Sequence, residues 1–134
     1  MPVKLSKMAI DLGVVTANGP ALLAFYRDLL GFRQEPDMPF PMGGVMHRLC
    51  CGESLIKIVV PDPAPENFPK KGAIENATGY RYWTMTVDNL NDIMEACDAY
   101  GAQILVPARE IRAGVIIGIA ADPDGNLVEF VEHT

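Results

Sequence analysis

Three ionisable side chains interrupt stretches of the sequence that are otherwise apolar. They are Asp11, Lys57 and Glu129. A charged group within an apolar strand is costly to bury unless a charged or polar group faces it. Taken alone, the segment around Glu129 is most simply explained by a half-exposed strand, because the faces of a sheet commonly alternate in this way. The elements around these residues decide whether the three groups can meet and do chemistry.

The composition is that of an ordinary single globular domain. The chain has 134 residues, of which 49% are hydrophobic and 21% are charged, and its net charge is −6. The acidic balance argues against nucleic acid as a partner, and it favours a cationic ligand or simply solubility. No apolar run is long enough to span a bilayer, and the N-terminus lacks the apolar segment of a signal peptide.

The cysteines indicate a reducing compartment rather than a disulfide framework. Cys50 and Cys51 are adjacent, and Cys97 makes the count odd. We therefore expect a cytoplasmic protein with thiols in an inert core. The sequence has no C-x-x-C or H-x-x-x-H spacing, which disfavours a structural zinc site.

The first half of the chain predicts a strand, a helix and three further strands. Asn18 is a candidate N-cap, Pro20 suits the first helical turn, and Gly31 ends the apolar period of the helix near Leu30. The predicted elements are a strand at 8–16, this helix, a short strand at 32–35, a proline-rich loop at 36–44, and a hairpin of 45–51 with 55–60 around Gly52 and Glu53.

The second half predicts the same order of elements after a linker at 61–79, which contains four prolines. Asp88 is a candidate cap for a helix that Gly101 ends. The strands are expected at 80–87, at 103–106 up to Pro107, at 115–121, and at 127–131 after the turn Asp-Pro-Asp-Gly-Asn at 122–126. The chain therefore consists of two repeated units, at 1–60 and 80–134, whose sheets pair within or between chains.

Two segments of this sequence resemble the vicinal oxygen chelate superfamily, also called the glyoxalase, bleomycin-resistance and extradiol-dioxygenase fold. They are residues 24–32 and 122–130, and residues 79–87 are similar to the family's second entry strand. The resemblance covers nearly the whole chain. It implies an α+β fold in which two βαβββ modules form a curled mixed sheet around a central cavity, a small-molecule ligand, and frequently a homodimer. It does not specify the reaction.

Family metal sites use one residue on the first and one on the last strand of each module. The resemblance places Asp11, Lys57, Tyr82 and Glu129 at these positions. An ammonium has no lone pair for a metal, and a neutral phenol is a poor ligand, so we expect no metal cofactor. A fallback metal set is Asp11, His47 and Glu129. A two-residue hairpin turn, however, puts Arg48 rather than His47 on the Lys57 face.

The substituted positions suggest acid–base chemistry without a metal. Lys57 and Tyr82 could hold an enolate oxygen while Glu129 or Asp11 moves a proton, as in an isomerase, epimerase or lyase. Lys57 could instead form a Schiff base, or the cluster could only join the modules. A binding protein similar to the bleomycin-resistance proteins is the second hypothesis, and a metal-dependent glyoxalase or dioxygenase is the third.

Other residues are expected to bind the ligand rather than react with it. Thr84 shares its strand parity with Tyr82, whereas Trp83 and Met85 have the opposite parity and should pack against a helix. Methionines and a phenylalanine around the 36–44 loop could line an apolar cavity or anchor the loop. The predicted ligand-binding residues are Phe40, Met46, His47, Arg48 and Thr84.

Overall fold

The computed structural model describes residues 1–134, which divide into two compact units, Met1–Glu66 and Asn67–Thr134. Each unit contains one four-stranded sheet and repeats the order strand, helix, three strands. The predicted α+β class with two βαβββ modules is therefore confirmed. None of the helices has the length and apolar composition needed to cross a membrane.

The first unit forms a mixed sheet with the strand order β1-β4-β3-β2. β1 pairs with β4 in parallel, and the two other pairs are antiparallel. The predicted hairpin is confirmed, since Gly52 and Glu53 form its two-residue turn. The elements are β1 (Leu12–Val15), α1 (Gly19–Leu23), β2 (Arg33–Pro39), β3 (Gly44–Cys51) and β4 (Ser54–Pro61). β1 is shorter than the predicted strand at 8–16, because residues 8–10 have no partner strand.

The first helix begins as predicted but changes its winding. The Asn18 side chain accepts a hydrogen bond from the backbone N–H of Ala21 at 3.2 Å, which confirms the N-cap. Beyond α1 the chain continues as a π-helical segment, Ala24–Leu29, which no sequence pattern had indicated. Its wider turn accompanies two adjacent buried aromatic rings, Phe25 and Tyr26, in an edge-to-face contact at 4.9 Å.

The predicted loop at 36–44 is partly wrong, because β2 runs on to Pro39. The register between β2 and β3 shifts between Glu35 and Met38, which marks a β-bulge. β2 is an edge strand, and an edge strand with a bulge tolerates the missing N–H of Pro36. The bulge therefore keeps the strand paired through a sequence that otherwise indicates a loop.

The second unit repeats the topology with the strand order β5-β8-β7-β6. β5 and β8 are parallel, and the two other pairs are antiparallel. The elements are a short 3-10 helix (Ile74–Asn76), β5 (Tyr82–Thr86), α2 (Leu90–Tyr100), β6 (Ile104–Arg112), β7 (Val115–Ala121) and β8 (Leu127–His133).

Two details of the second unit correct the sequence interpretation. β6 does not end at Pro107 but continues to Arg112, because it is an edge strand with three register shifts. Asp88 does not cap α2. The backbone N–H of Leu90 instead donates to the Glu132 carboxylate on β8 at 2.8 Å. Gly101 ends α2 at φ 94°, as its type predicts.

Each sheet has a helix face, on which the unit's helix packs, and a distal face on the opposite side. In the first unit, a methyl group on Gly19 of α1 would lie 2.8 Å from the Val60 side chain, so Val60 is on the helix face. In the second unit, one on Gly118 would lie 2.6 Å from the Met94 sulfur of α2. Strand alternation assigns the other residues. The buried helix-face residues include Leu49, Ile56, Ile58, Val128 and Phe130.

Candidate functional site

A row of directly opposed residues crosses the distal face of the first sheet, and we call it the Lys57 row. Gly13 on β1 is in register with Lys57 on β4, Lys57 with Arg48 on β3, and Arg48 with Glu35 on β2. Opposed residues of neighbouring strands share a face. The structure therefore brings Lys57 and Arg48 together as the two-residue hairpin turn requires.

Neither cation of this row has a carboxylate partner within the first unit. Glu35 is instead paired with Arg33 at 3.1 Å, and it also accepts a hydrogen bond from the Cys50 thiol at 3.4 Å. Burial, followed by the hydrogen bond to Glu35, raises the pKa of this thiol. Lys57 and Arg48 are both partly buried.

The β2 bulge fixes the Arg48 guanidinium. Its Nε and Nη2 atoms donate to the Pro36 carbonyl at 3.2 and 2.8 Å. Nη1 makes no hydrogen bond in the structure, so one edge of the planar group remains available to an acceptor. The bulge thus fixes the Arg48 guanidinium toward β2, on the sheet face that Arg48 shares with Lys57.

Asp11 lies just before β1, and its carboxylate has structural partners. Its Oδ1 atom accepts from the Lys7 ammonium at 2.7 Å and from the backbone N–H of Leu55 on β4 at 2.8 Å. The Lys7 hydrogen bond, then the Leu55 N–H, hold the pKa of Asp11 below its usual value, and the charge of Lys57 adds to the effect. Asp11 therefore extends the β1–β4 hydrogen-bond ladder by means of a side chain.

His47 lies on the helix face, opposite to Arg48 and Lys57, because it is in register with Ile58. Its Nδ1 atom is 2.9 Å from the Asp37 carboxylate, which also accepts from Gln34 at 2.9 Å. The Arg27 guanidinium donates to the side-chain amide oxygen of Gln34 at 2.8 Å. These contacts, first of all that with His47, hold the pKa of Asp37 below its usual value.

This network of Arg27, Gln34, Asp37 and His47 was missed in the sequence, because Asp37 lies in the segment that was predicted to be a loop. No pattern of spacing could have found it. A period of two would place Gln34 and Asp37 on opposite faces of the strand, and only the register shift in β2 brings them to the same face.

The second sheet carries the equivalent row, which we call the Glu129 row. Thr84 on β5 is in register with Glu129 on β8, and Glu129 with Ile119 on β7. The Thr84 hydroxyl donates to the Glu129 carboxylate at 2.7 Å. Tyr82 lies on the same face, is in register with Leu127, and is 49% exposed. The structure thus brings together Tyr82, Thr84 and Glu129 within the second unit.

The predicted apolar ligand residues divide between the distal face and the loop. Met46 is in register with Val59 of β4 and Met38 of β2, so it lies on the distal face near the Lys57 row. Phe40 is partly buried in the turn before β3, where its N–H donates to the Gly44 carbonyl at 3.0 Å. Met42, at the tip of this turn, is 79% exposed.

The donor atoms at the family's metal positions do not fit a divalent ion. No three His, Cys, Asp or Glu side chains form a group that could hold a metal. Lys57 would repel a cation, and Tyr82 would be a weak neutral ligand. Asp11 and His47 do not lie on one face, since His47 is on the helix side.

The family model that matches this chain is the Glyoxalase/Bleomycin resistance protein/Dioxygenase superfamily, over residues 10–130. No curated protein matches the chain in sequence. Many solved structures share its fold.

Three of these structures illustrate the range of related functions. A glyoxalase family protein from Bacillus cereus has a TM-score of 0.81 at 16% identity, covering 98% of this chain and 96% of its own. A lactoylglutathione lyase from Agrobacterium tumefaciens has a TM-score of 0.66 at 18% identity, covering 96% of both chains. A fosfomycin resistance protein from Listeria monocytogenes has a TM-score of 0.69 at 12% identity, covering 100% of this chain and 96% of its own. At these identities the likeness is one of fold.

Proposed function

Because the chain belongs to the Glyoxalase/Bleomycin resistance protein/Dioxygenase superfamily, we propose that it is a metal-independent member that transfers protons on a small, oxygen-bearing substrate. The reaction class is isomerisation, epimerisation or lyase chemistry. One observation carries the proposal. Where the family has metal ligands, this chain has Lys57, which is in register with Arg48 and has no carboxylate partner in its unit.

The two cations supply the chemistry that an electrophilic metal would otherwise provide. When a proton leaves the carbon next to a carbonyl, negative charge develops on the carbonyl oxygen. Fixed positive groups stabilise this charged oxygen more than they stabilise the neutral substrate. This difference in stabilisation lowers the barrier. Arg48 is held in place by Pro36, so it needs little reorganisation during the reaction.

We assign the proton transfer to Glu129 rather than to Asp11. The Lys7 and Leu55 hydrogen bonds stabilise the ionised form of Asp11, which makes it a weak base. Glu129 accepts one hydrogen bond, from the Thr84 hydroxyl, which leaves its second oxygen for a proton. Tyr82, on the same face, can donate its phenolic proton to a substrate oxygen.

The test is hydrogen–deuterium exchange of small carbonyl compounds in D₂O, followed by proton NMR. Chelator-treated wild-type protein should catalyse the exchange of at least one compound. Lys57→Met and Glu129→Gln should each lower its rate by about 10²-fold or more. Lys70→Met changes an exposed lysine outside both rows and should retain the rate. The proposal is wrong if exchange requires an added divalent ion.

Borohydride trapping distinguishes two roles for Lys57. A Schiff base between Lys57 and a carbonyl substrate would be reduced to a stable secondary amine, which mass spectrometry locates on that residue. We expect no such adduct, because oxyanion stabilisation uses the protonated ammonium. An adduct at Lys57 would show that Lys57 acts as a covalent nucleophile rather than by stabilising the oxyanion.

A non-catalytic binding protein is the second candidate, and the partners of the carboxylates favour it. Asp11 is occupied by Lys7 and Leu55, and Glu129 by Thr84, as on a static binding surface. Such a protein would bind a compound stoichiometrically, and calorimetry would show the binding without any exchange in D₂O. The two candidates therefore give opposite results with the same bound compound.

We also propose that the protein acts as a cytoplasmic homodimer. β1 is an edge strand, and two apolar side chains are exposed along this edge, Ile10, two residues before the strand, by 85% and Val15, its last residue, by 57%. Exposed apolar edges favour association with a second copy. The three cysteines are free thiols, which supports a reducing compartment. Light scattering on the eluted protein, with Ile10→Glu as the disrupting variant, tests the dimer.

A further inference from the structure

Two positive side chains lie directly opposite each other on the distal face of the first sheet. Lys57 and Arg48 are in register across the antiparallel β3–β4 pair. Like charges in this arrangement destabilise a sheet, because the side chains of opposed residues are close neighbours. Partial burial increases the cost, since it reduces the screening by water. The pair therefore needs a negative partner.

The carboxylates near the pair are already occupied. Glu35 is in register with Arg48, yet its carboxylate pairs with Arg33. Asp11 is close enough for the charge of Lys57 to affect it, but its ion pair is with Lys7. The chain as a whole carries 17 acidic and 11 basic residues. The shortage of negative charge at Lys57 and Arg48 is therefore a local property of this face.

The surroundings leave room for an external group. Gly13, on the other side of Lys57 in the row, has no side chain, and a methyl group there would have no atom within 4 Å. The Nη1 edge of Arg48 makes no hydrogen bond, whereas Nε and Nη2 hold the Pro36 carbonyl. Two residues along β3 from Arg48, the partly buried Met46 provides an apolar neighbour on the same face, in register with the buried Val59.

We infer that Lys57 and Arg48 bind an anionic group, a carboxylate or a phosphate-like oxyanion, of the small molecule on which this protein acts. The Lys57 ammonium and the Nη1 edge of Arg48 donate to its oxygens, and the partly buried Met46 contacts the apolar part of the same molecule. The inference rests on the proposed function in that it uses the same site. Binding of an anion, however, can be measured without any turnover.

Inorganic phosphate is the probe for this site. A phosphate titration at constant ionic strength, with chloride replaced by phosphate, is followed by ³¹P NMR and by the melting temperature. Wild-type protein should bind phosphate and melt at a higher temperature as phosphate rises. Lys57→Met and Arg48→Met should each weaken binding by about tenfold or more, because each removes a charge-assisted hydrogen bond.

Matched variants separate this site from general attraction to surface cations. Lys57→Arg keeps the positive charge and should bind phosphate within about threefold of wild type, whereas exposed Lys70→Met should bind as wild type does. In the absence of phosphate, Lys57→Met should melt at a higher temperature than wild type, because the repulsion with Arg48 is gone.

Two results would overturn the inference. The first is that wild type shows no response to phosphate, and the second is an equal response in wild type, Lys57→Met and Arg48→Met. Failure of the proposed function looks different, since it leaves phosphate binding intact and removes only the exchange of substrate protons in D₂O. Malonate and its uncharged diamide then show whether a carboxylate serves as the anion, because only the dianion should compete with phosphate.

Discussion

The two units share one topology but place opposite charges at the same point of their sheets. Lys57 lies on β4 beside Gly13 of the parallel strand β1, and Glu129 lies on β8 beside Thr84 of the parallel strand β5. The neighbouring residue on the parallel strand decides whether the charged side chain has a hydrogen-bond partner. Thr84 donates a hydrogen bond to Glu129 at 2.7 Å, whereas Gly13 offers nothing to Lys57. One repeat therefore holds its charged group by a side-chain hydrogen bond from the parallel neighbour, and the other does not.

The helices of the two units are capped by different means. In the first unit the Asn18 side chain caps α1 by accepting from the N–H of Ala21, three residues along the chain. In the second unit Glu132 reaches the first N–H of α2 from β8, a distance of 42 residues along the chain. A local cap depends only on the helix, whereas the Glu132 cap requires that the sheet is formed. The repeats therefore differ in how strongly helix and sheet depend on each other.

The largest expected effect comes from the charge in the Glu129 row. Glu129→Gln should lower the turnover measured in D₂O by about 10²- to 10⁴-fold, because the amide cannot accept the proton. Glu132→Gln, on the same strand, keeps an oxygen acceptor for α2 and serves as the control. Equal activity of Glu129→Gln and wild type would remove Glu129 from the mechanism.

Exchanging the neighbours of the two charges sharpens the contrast between the rows. Thr84→Val removes the hydroxyl that holds Glu129 and should lower kcat/KM by about tenfold, the cost of one charge-assisted hydrogen bond. Gly13→Thr places a side chain beside Lys57 and should weaken the binding of inorganic phosphate. Steady-state kinetics and the phosphate titration measure the two effects. If neither kcat/KM nor phosphate binding changes, residues 84 and 13 do not influence Glu129 and Lys57.

The long-range cap of α2 predicts a smaller effect, on stability. Glu132→Ala leaves the Leu90 N–H without its acceptor and should lower the free energy of unfolding by about 1–2 kcal/mol. Asn18→Ala should cost about 1 kcal/mol by the loss of a local cap. Urea unfolding of both variants gives the comparison, with Glu132→Gln as the conservative change. A Glu132→Ala protein as stable as wild type would show that water replaces this cap.

The smallest effect concerns the acid stability of the first unit. The folded-state pKa of Asp37 lies below its unfolded value of 3.8, chiefly because of the His47 hydrogen bond. Its contribution is therefore present above about pH 4 and is lost as the pH falls through the lower folded-state value.

Asp37→Asn should accordingly be less stable than wild type at pH 7, by about 1 kcal/mol or less because Asp37 is half exposed. The two proteins should approach equal stability as the pH falls through the lowered folded-state pKa of Asp37, which urea unfolding at several pH values measures. Asp62→Asn, a change at an exposed carboxylate without a hydrogen bond, should follow wild type throughout. If Asp37→Asn stays less stable than wild type at low pH, the Asp37–His47 contact contributes through packing rather than through charge.

Several parts of the fold could be predicted because their causes are local. The Asn18 cap, the left-handed glycine after α2 and the hairpin at Gly52 each depend on residues within a few positions. The Asp122 side chain likewise closes its own turn by accepting from the N–H groups of Asp124 and Asn126, each at 2.9 Å. The hairpin turn also sets the parity that places Arg48, rather than His47, beside Lys57.

The bounds predicted for β2 and β6 were wrong because prolines lie within these edge strands. Pro36 and Pro107 indicate loops by their type, yet β2 and β6 continue through them with shifts of register. Only the pairing with β3 and β7 shows that an edge strand absorbs the missing N–H. The Asp37–His47 contact depends on such a shift, so no reading of the sequence by period could have found it.

The sequence alone determined the repeat and the α+β class, because composition, spacing and turn chemistry act over a few residues. Its resemblance to the family then pointed to Asp11, Lys57, Tyr82 and Glu129 as the candidate site. The tertiary structure decided which neighbours those residues have. Gly13 meets Lys57, Thr84 meets Glu129, and Asp11 meets Leu55 through pairings between strands more than 40 residues apart. The register of parallel strands is set by the packing of both faces of a sheet, and no local preference encodes it.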